Sequence, residues 1–343
     1  PRPAVRKVQL ARLIIRPTWL AWRWLGTRSS HAARNEARLA AFGPLALLEL
    51  FLVWAAALVL GYGLIAFGLS DEFHPVLTDF PEAFYVSATT LVPLSYGDFV
   101  PEQGPARAAI IAESATGVAL AALAITLLFS LYESFRAREE ALVALDALAG
   151  APPSGVQILE RVAGPGGGLS LDETFGDWRR WSAMVLESHL AYPILVYFRS
   201  SHDNEAWLNS FGAVMDAAAL AISTVDGESA GSAKLMFTMG NHLVEDLTWV
   251  FRLKSANDPI LERDEFEAAV KRLRDAGYKP KEVEAAWAQF KELRATYASV
   301  LNQIAHLLAL QPAQWMGDRS YLPHRHTRTL RRKRKAPSKL PVS

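Results

Sequence analysis

A long uncharged run constrains this chain more than any other feature of its sequence. Residues 50–70 carry no charged side chain over 21 positions, and residues 108–132 form a second apolar run with a single charge, Glu113. A helix needs about 20 apolar residues to cross a bilayer, more than a buried helix of a soluble protein requires. The sequence therefore predicts two membrane-spanning helices joined by residues 71–107.

The basic residues are distributed unevenly, although the net charge is only +1. Nine Lys or Arg residues lie within the first 43 positions, and none lies between Arg38 and Arg107. The connection between the two apolar runs is acidic instead. Because basic flanks stay on the cytoplasmic side of a membrane, we expect both termini in the cytoplasm and the connection outside. In a bacterial cell this would be the plasma (inner) membrane.

The connection itself is too long for a simple hairpin and too apolar for a solvated loop. Pro81 suits the first turn of a helix, and Glu82 complements the helix dipole there, so a short helix is predicted up to Leu91. An unusual segment, FYVSATTLVPLSYGDFVP, occupies residues 84–101.

This segment resembles the pore loop of the two-transmembrane members of the potassium-channel superfamily. There a pore helix ends in Thr-Thr-Leu, a filter strand follows, and Tyr-Gly-Asp closes it. The matching residues here are Thr89, Thr90, Leu91, Tyr96, Gly97 and Asp98. The resemblance implies an all-α membrane domain with two transmembrane helices, a re-entrant pore helix and a filter loop at residues 93–98. It also implies a homotetramer that conducts K⁺ or another monovalent cation without a cofactor.

Three filter positions, Pro93, Leu94 and Ser95, differ from the Thr-Val-Gly of that family. Pro93 keeps its carbonyl but offers neither a hydroxyl nor an N–H, and Leu94 is a mild change. Ser95 stands where the family has a glycine, and a left-handed conformation there costs another residue about 1–2 kcal/mol. The resemblance further implies that the ring of Tyr96 braces the filter against the pore helix.

Three interpretations stay open at this point. The first is a potassium channel with a variant filter. The second is a non-selective monovalent cation channel, because positions that touch the ion differ. The third is a membrane-anchored signalling or interaction protein whose pore does not conduct.

The second apolar run contains two further candidates. Glu113 is a carboxyl group at membrane depth, which suggests a function, and it could hydrogen-bond behind the filter to Ser87, Thr89 or Thr90. Gly117 lies where the resemblance implies a gating hinge. A small residue for close helix packing explains Gly117 equally well.

The charge pattern and the helix breakers divide the chain into five segments. We expect a basic cytoplasmic or interfacial segment (1–43), a pore domain (44–136), a helical stalk (137–150), a cytoplasmic helical bundle (151–320) and a basic disordered tail (321–343). Within the pore domain, helices are expected at about 46–69, 81–92 and 106–134. The bundle contains no alternating strand–helix pattern and no glycine-rich dinucleotide motif, so a nucleotide-binding domain is not expected.

The predicted bundle contains polar residues but no recognisable set of catalytic groups, so an enzyme is not predicted. The weak candidates for a metal pair are His242 and Asp246, which lie four residues apart on one helix face. The other polar candidates are His189, His202, Asp203, Asp226 and Glu245. The chain has no cysteine, which excludes thiolate ligands and disulfides.

Two segments are expected to contact lipid rather than nucleic acid. Residues 8–26 mix Arg with Leu, Ile and Trp, which is typical of an amphipathic helix in the membrane interface, with Pro17 kinking or splitting it. The tail carries seven Lys or Arg between residues 324 and 335. Next to a cytoplasmic leaflet such a cluster binds anionic lipid.

Overall fold

A computed structural model describes residues 10–28, 32–150, 153–163, 170–200, 206–225, 230–253 and 263–310. The chain divides into two compact units, Pro1–Glu133 and Ser134–Ser343. The expected tail (321–343) and the candidates His202, Asp203 and Asp226 lie outside the described residues. Within the described part, the fold is all-helical apart from one pair of two-residue strands, which confirms the predicted fold class.

The first unit begins with three helices: α1 (Leu10–Gly26), α2 (Ala32–Ala40) and α3 (Phe42–Gly68). Pro17 lies inside α1 and does not split it, contrary to one of the two outcomes expected for it. Trp19 is buried, and its ring contacts that of Phe42, with the ring centroids 4.9 Å apart. Leu13 and Trp24 of α1 remain exposed.

Two helices are long and apolar enough to cross a membrane. One is α3, which together with α2 gives a span of Arg34–Gly68, and the other is the first 42 residues of α5 (Gly104–Ala149). Only 22% and 11% of their most apolar windows are buried. A core helix of a soluble protein would bury most of such a window, so these exposed apolar surfaces fit a lipid environment better.

Helix α4 (Phe80–Leu91) lies between the two long helices in sequence and packs along α3. Its first turn is capped twice: the Asp79 carboxylate accepts from the backbone N–H of Glu82, and the Glu82 carboxylate accepts from the backbone N–H of Thr78. These bonds satisfy backbone groups that a helix end leaves open. The start of α4 is therefore well defined.

A short antiparallel pair joins the two ends of the connection between α3 and α5. Strand β1 (Phe73–His74) pairs with β2 (Val100–Pro101), so Phe73 faces Pro101. Beneath the pair lies a small apolar cluster formed by Ala66, Phe73, Leu77, Ala83, Val86 and Ala106. The carboxylate of Glu72 accepts from the backbone N–H of Ala106 near the start of α5. The ends of the connection are thereby held together, with the filter segment between them.

In its described residues, the second unit contains the end of α5 and seven further α-helices. They are α6 (Gly155–Ala163), α7 (Leu171–Ala191), α8 (Trp207–Thr224), α9 (Ala230–Phe251), α10 (Arg263–Asp275), α11 (Val283–Ala295) and α12 (Ala298–Leu307). Helix α8 is apolar on all sides, and 16 of its residues are buried. Helices α6, α7, α9, α11 and α12 all pack against it. A helix without a polar face has to be surrounded, and this explains the bundle.

Two local predictions differ from the structure of this unit. Helix α6 was not predicted, although its apolar residues Val156, Ile158, Leu159 and Val162 are buried in the core. Residues 281–310, where the sequence pattern is helical throughout, form two helices, α11 and α12. The chain breaks at Tyr297, because its buried side chain donates a 2.6 Å hydrogen bond to Asp216 of α8. This tertiary contact overrides the helical pattern.

Arg138, in the last third of α5, is the most heavily bonded buried charge of the unit. Its side chain is almost completely buried and forms an ion pair with Glu139 at 3.0 Å. It also donates to the carbonyl oxygens of Leu195, at 3.2 Å, and of Phe198, at 2.7 Å. Its own backbone carbonyl accepts from the indole N–H of Trp181. Arg138 thus joins α5 to α7 through its backbone carbonyl, and to the segment that follows α7 through its guanidinium.

Replacing Arg138 with Met should lower the free energy of unfolding of the full chain by about 3–5 kcal/mol, because Glu139 then stays buried without its cation. Chemical denaturation in detergent, followed by tryptophan fluorescence, measures the change. Arg180→Met is the matched control, since Arg180 pairs with Asp177 on the surface, and it should cost less than about 1 kcal/mol. Equal losses in the two variants would contradict the assignment. The double variant Arg138→Met/Glu139→Gln should recover part of the stability.

Candidate functional site

The candidate filter follows directly from the end of α4. The helix stops at Leu91, and Val92 is its last capping residue. The backbone N–H groups of Leu94 and Ser95 both point back to the carbonyl oxygen of Thr89, at 2.8 and 3.3 Å. Pro93 has no N–H to place. Both backbone donors that follow the helix therefore have a hydrogen-bond acceptor within the chain, which a segment at membrane depth requires because water is not available there.

Two filter residues have a left-handed backbone: Ser95 with φ of 43° and Gly97 with φ of 78°. Glycine tolerates this conformation, whereas a serine pays for it. Ser95 therefore adopts a left-handed conformation that is ordinary only for glycine. The left-handed backbone at Ser95, for which the sequence analysis gave a conformational free-energy cost, is therefore the conformation that the chain adopts.

The filter segment, Pro93–Asp98, is exposed along its whole length within one chain. The side chain of Tyr96 is 68% exposed, so it does not brace the filter against the pore helix of its own chain. The ring of Tyr85 on α4 instead lies 6.5 Å from that of Phe99, and its hydroxyl interacts electrostatically with the Asp98 carboxylate. The filter is thus tied to its own pore helix at its far end, through Tyr85.

The two predicted supporting threonines behave differently. Thr90 is buried. The hydroxyl of Thr89 lies 3.0 Å from the carbonyl oxygens of both Tyr85 and Val86 in its own helix, so it is occupied locally. The contribution of Thr89 to the filter is through its backbone carbonyl, as described above.

Glu113 is buried between three helices. Its carboxyl group contacts the hydroxyl of Ser87 on α4, and that hydroxyl also lies 2.9 Å from the carbonyl oxygen of Val59 on α3. Of the three hydroxyl groups predicted as partners of Glu113, those of Ser87, Thr89 and Thr90, the carboxyl group contacts that of Ser87. Three helices meet at this point, because Val59 and Ser87 belong to α3 and α4 and Glu113 belongs to α5.

Gly117 lies one turn further along α5 and is in tight contact with the end of α4. A Cβ atom at Gly117 would lie 2.0 Å from the carbonyl oxygen of Leu91. Such a distance is impossible, so only glycine allows this approach. The geometry favours the close-packing interpretation of Gly117, and the hinge role stays a prediction.

The candidates of the second unit that the structure describes do not assemble into a metal site. His242 is exposed and Asp246 is half-buried on α9. Within the described residues, no group of three or more His, Asp or Glu side chains is arranged to hold a metal ion. His189 is buried, and burial, together with the positive charge of Arg138, lowers the pKa of its imidazole to about 3. It is therefore a neutral core residue at physiological pH.

Sequence reasoning missed two contributors to the site. The carbonyl of Val59 could not be found, because a backbone group has no sequence signal. Tyr85 could have been found, since an aromatic residue one turn before the Thr-Thr pair lies on the helix face toward the returning chain. Its partnership with Asp98 depends on the path of the loop.

Replacing Gly117 with Ala should destabilise the protein by about 1–3 kcal/mol and abolish any ion flux, because α5 or the end of α4 has to move. Thermal melting in detergent measures the first effect. Gly68→Ala is the matched control, since a Cβ atom there meets nothing within 4 Å. If Gly117 were only a hinge, its alanine variant would have the melting temperature of the parent and would differ only in how readily the pore opens.

Comparison with known proteins places this geometry in a family. Residues 49–134, about a quarter of the chain, match the family model described as "Ion channel". The match covers most of α3, all of α4 and the filter segment, and α5 up to Ser134. No curated protein and no solved structure matches the chain. Residues 49–134, with their two long apolar helices and the loop between them, are therefore similar to the ion-channel family that this model describes.

Proposed function

We propose that the protein is a homotetrameric cation channel for K⁺, which passes ions through a filter of backbone carbonyls. The observation that carries this proposal is the left-handed backbone at Ser95 and Gly97, directly after a pore helix and between two membrane helices. When left-handed and right-handed residues alternate along a strand, successive carbonyl oxygens can point to the same side, where they can coordinate a dehydrated cation. Passive ion movement needs no covalent chemistry, so no enzymatic activity is proposed.

The selectivity for K⁺ rests on the backbone rather than on the side chains. Ser95 adopts the conformation of the glycine it replaces, and Tyr96, Gly97 and Asp98 keep the closing sequence of a potassium filter. Pro93 removes the hydroxyl that the family offers to the innermost ion. Because of that loss, a non-selective monovalent cation channel is the second candidate function.

The homotetramer is supported by the exposure of the loop. One chain contributes one loop, and Pro93–Asp98 are uncovered by the rest of their own chain. A filter strand at membrane depth has to line a cavity or be buried in protein. Four copies around one axis satisfy this requirement, and they also give the exposed Tyr96 ring a neighbouring subunit to pack against.

The proposed topology places both termini in the cytoplasm of a cell whose inner membrane holds the protein. The basic side chains Arg16, Arg23 and Arg28 lie on or just after α1, together with the exposed Leu13 and Trp24. This combination suits contact with anionic lipid. The acidic connection on the opposite side would concentrate cations at the pore mouth.

The helical bundle is proposed to modulate the pore. The supporting observation is that α5 is one unbroken helix from Gly104 to Ala149. Its last residues, including the buried Arg138, Leu142 and Leu145, belong to the second unit. A rearrangement of the bundle would therefore act directly on the helix that follows the filter.

Replacing Gly97 with Ala should abolish cation flux without preventing assembly. A Cβ atom at Gly97 meets nothing within 4 Å, so the damage comes only from the left-handed backbone. The measurement is K⁺ flux into liposomes that contain the purified protein. Gly104→Ala is the control, because it adds a Cβ in open space at ordinary φ. Normal flux through the Gly97 variant would mean that the filter assignment is wrong, and no flux through a parent tetramer would favour a non-conducting protein.

Replacing Ser95 with Gly should raise the preference for K⁺ over Na⁺ if the filter is of the potassium type. Glycine adopts the left-handed conformation without the cost of about 1–2 kcal/mol that serine pays, so the carbonyl ring becomes more regular. Competition between the two ions in the same flux assay measures the ratio. An unchanged ratio near one, in both the parent and the variant, would favour the non-selective channel.

A further inference from the structure

The contact between Glu113, Ser87 and Val59 brings three oxygen atoms together, and two hydrogen bonds between them need two protons. The Ser87 hydroxyl lies within hydrogen-bond distance of two oxygens, the carbonyl of Val59 and the carboxyl group of Glu113. The carbonyl oxygen can only accept a hydrogen bond, and an ionised carboxylate can also only accept. Ser87 has one proton and cannot donate it to both. Both contacts are satisfied together only if the carboxyl group of Glu113 carries a proton and donates it to Ser87.

The surroundings of Glu113 also favour a neutral acid. Its side chain is 1% exposed, and that of Ser87 is fully buried. Ser87 is the only hydrogen-bond partner of Glu113 among the residues that the structure describes. A buried carboxylate without a cation or several donors is strongly disfavoured relative to its protonated form.

No other charged group in the three helices is positioned to balance a negative charge. The other titratable side chains of these helices near the membrane core are Glu49, Tyr62, Glu82, Tyr85 and Arg107. Each interacts with a group of its own. Glu49 contacts Thr18, Tyr62 contacts Thr116, and Glu82 contacts Thr78. Tyr85 interacts with Asp98, and Arg107 donates to the carbonyl oxygen of Pro101. The sequence contains no Lys or Arg between Arg38 and Arg107, so a neighbouring copy would not add one from this region either.

We propose that Glu113 is a proton-binding site, and that its bound proton holds α3, α4 and α5 together behind the filter and makes the pore sensitive to pH. This proposal rests on the proposed channel function for its regulatory half only. When Glu113 loses its proton, the carboxylate and the Val59 carbonyl compete for the single hydrogen of Ser87. The contact then opens, and the pore helix loses this polar link to the two membrane helices.

The proton itself can be detected without ion flux. Infrared spectroscopy of the full-length protein in lipid, recorded near pH 7, should contain a carboxylic acid C=O band that disappears in Glu113→Gln and shifts in Ser87→Ala. Glu82→Gln is the control, since Glu82 is an exposed carboxylate whose hydrogen bonds to Thr78 lower its pKa, and it should leave the band in place. If the parent and Glu113→Gln give the same carboxylic acid region, the proposal is overturned.

The regulatory half is tested in liposomes, with the flux of each variant normalised to its own value at pH 6. Parent flux should fall as pH rises, by roughly tenfold per pH unit beyond the midpoint for one controlling proton. Glu113→Gln should show no such fall, because an amide donates to Ser87 at every pH, whereas Glu82→Gln should retain it. A band without pH-dependent flux would refute the regulation and leave the proton site standing. Parent protein without flux at any pH would refute the channel while the infrared result still decides the proton.

Discussion

Backbone that leaves a helix inside a membrane has to find partners for its polar groups, and the pore domain depends on this constraint. The chain solves the problem at the end of α4. The Thr89 carbonyl accepts hydrogen bonds from the backbone N–H groups of Leu94 and Ser95, and Pro93 between them and the helix has no N–H. The absence of a Cβ atom at Gly117 lets α5 approach the Leu91 carbonyl. The filter conformation at Ser95 and Gly97 begins from this defined exit.

The same constraint explains where the polar side chains of the domain lie. Asp79 and Glu82 satisfy the open amides at the start of α4, and Tyr85 holds Asp98 at the far end of the filter. Ser87 and Glu113 fill the space between α3 and α5 with a polar contact that needs a proton to be complete. Each of these groups lies on or next to α4 and adds a polar contact to its apolar packing against α3.

The second unit is built on a different principle. An apolar helix, α8, is enclosed by its neighbours, and the few charges inside are paired: Arg138 with Glu139, and Arg294 with Asp216. Buried charges of this kind cost free energy unless their partners are in place. They fix which elements meet, since Arg138 joins α5 to the chain after α7, and Asp216 holds Tyr297 at the break between α11 and α12.

The amino-acid sequence alone predicted the two long apolar helices, the short helix before the loop, the similarity of this region to ion channels and the all-helical class. These follow from the length of apolar runs and from a loop motif, which are local properties. Helix α6 and the break at Tyr297 escaped prediction, because both depend on burial against α8.

The sequence also pointed to Glu113 and Gly117 but left their partners open. Only the tertiary structure decided that Glu113 meets Ser87 and Val59, that Gly117 lies against Leu91, and that Ser95 accepts a left-handed backbone. The physical reason is the same in each case: a contact between a side chain and a backbone carbonyl of another helix depends on how the helices pack, and a carbonyl is the same at every residue.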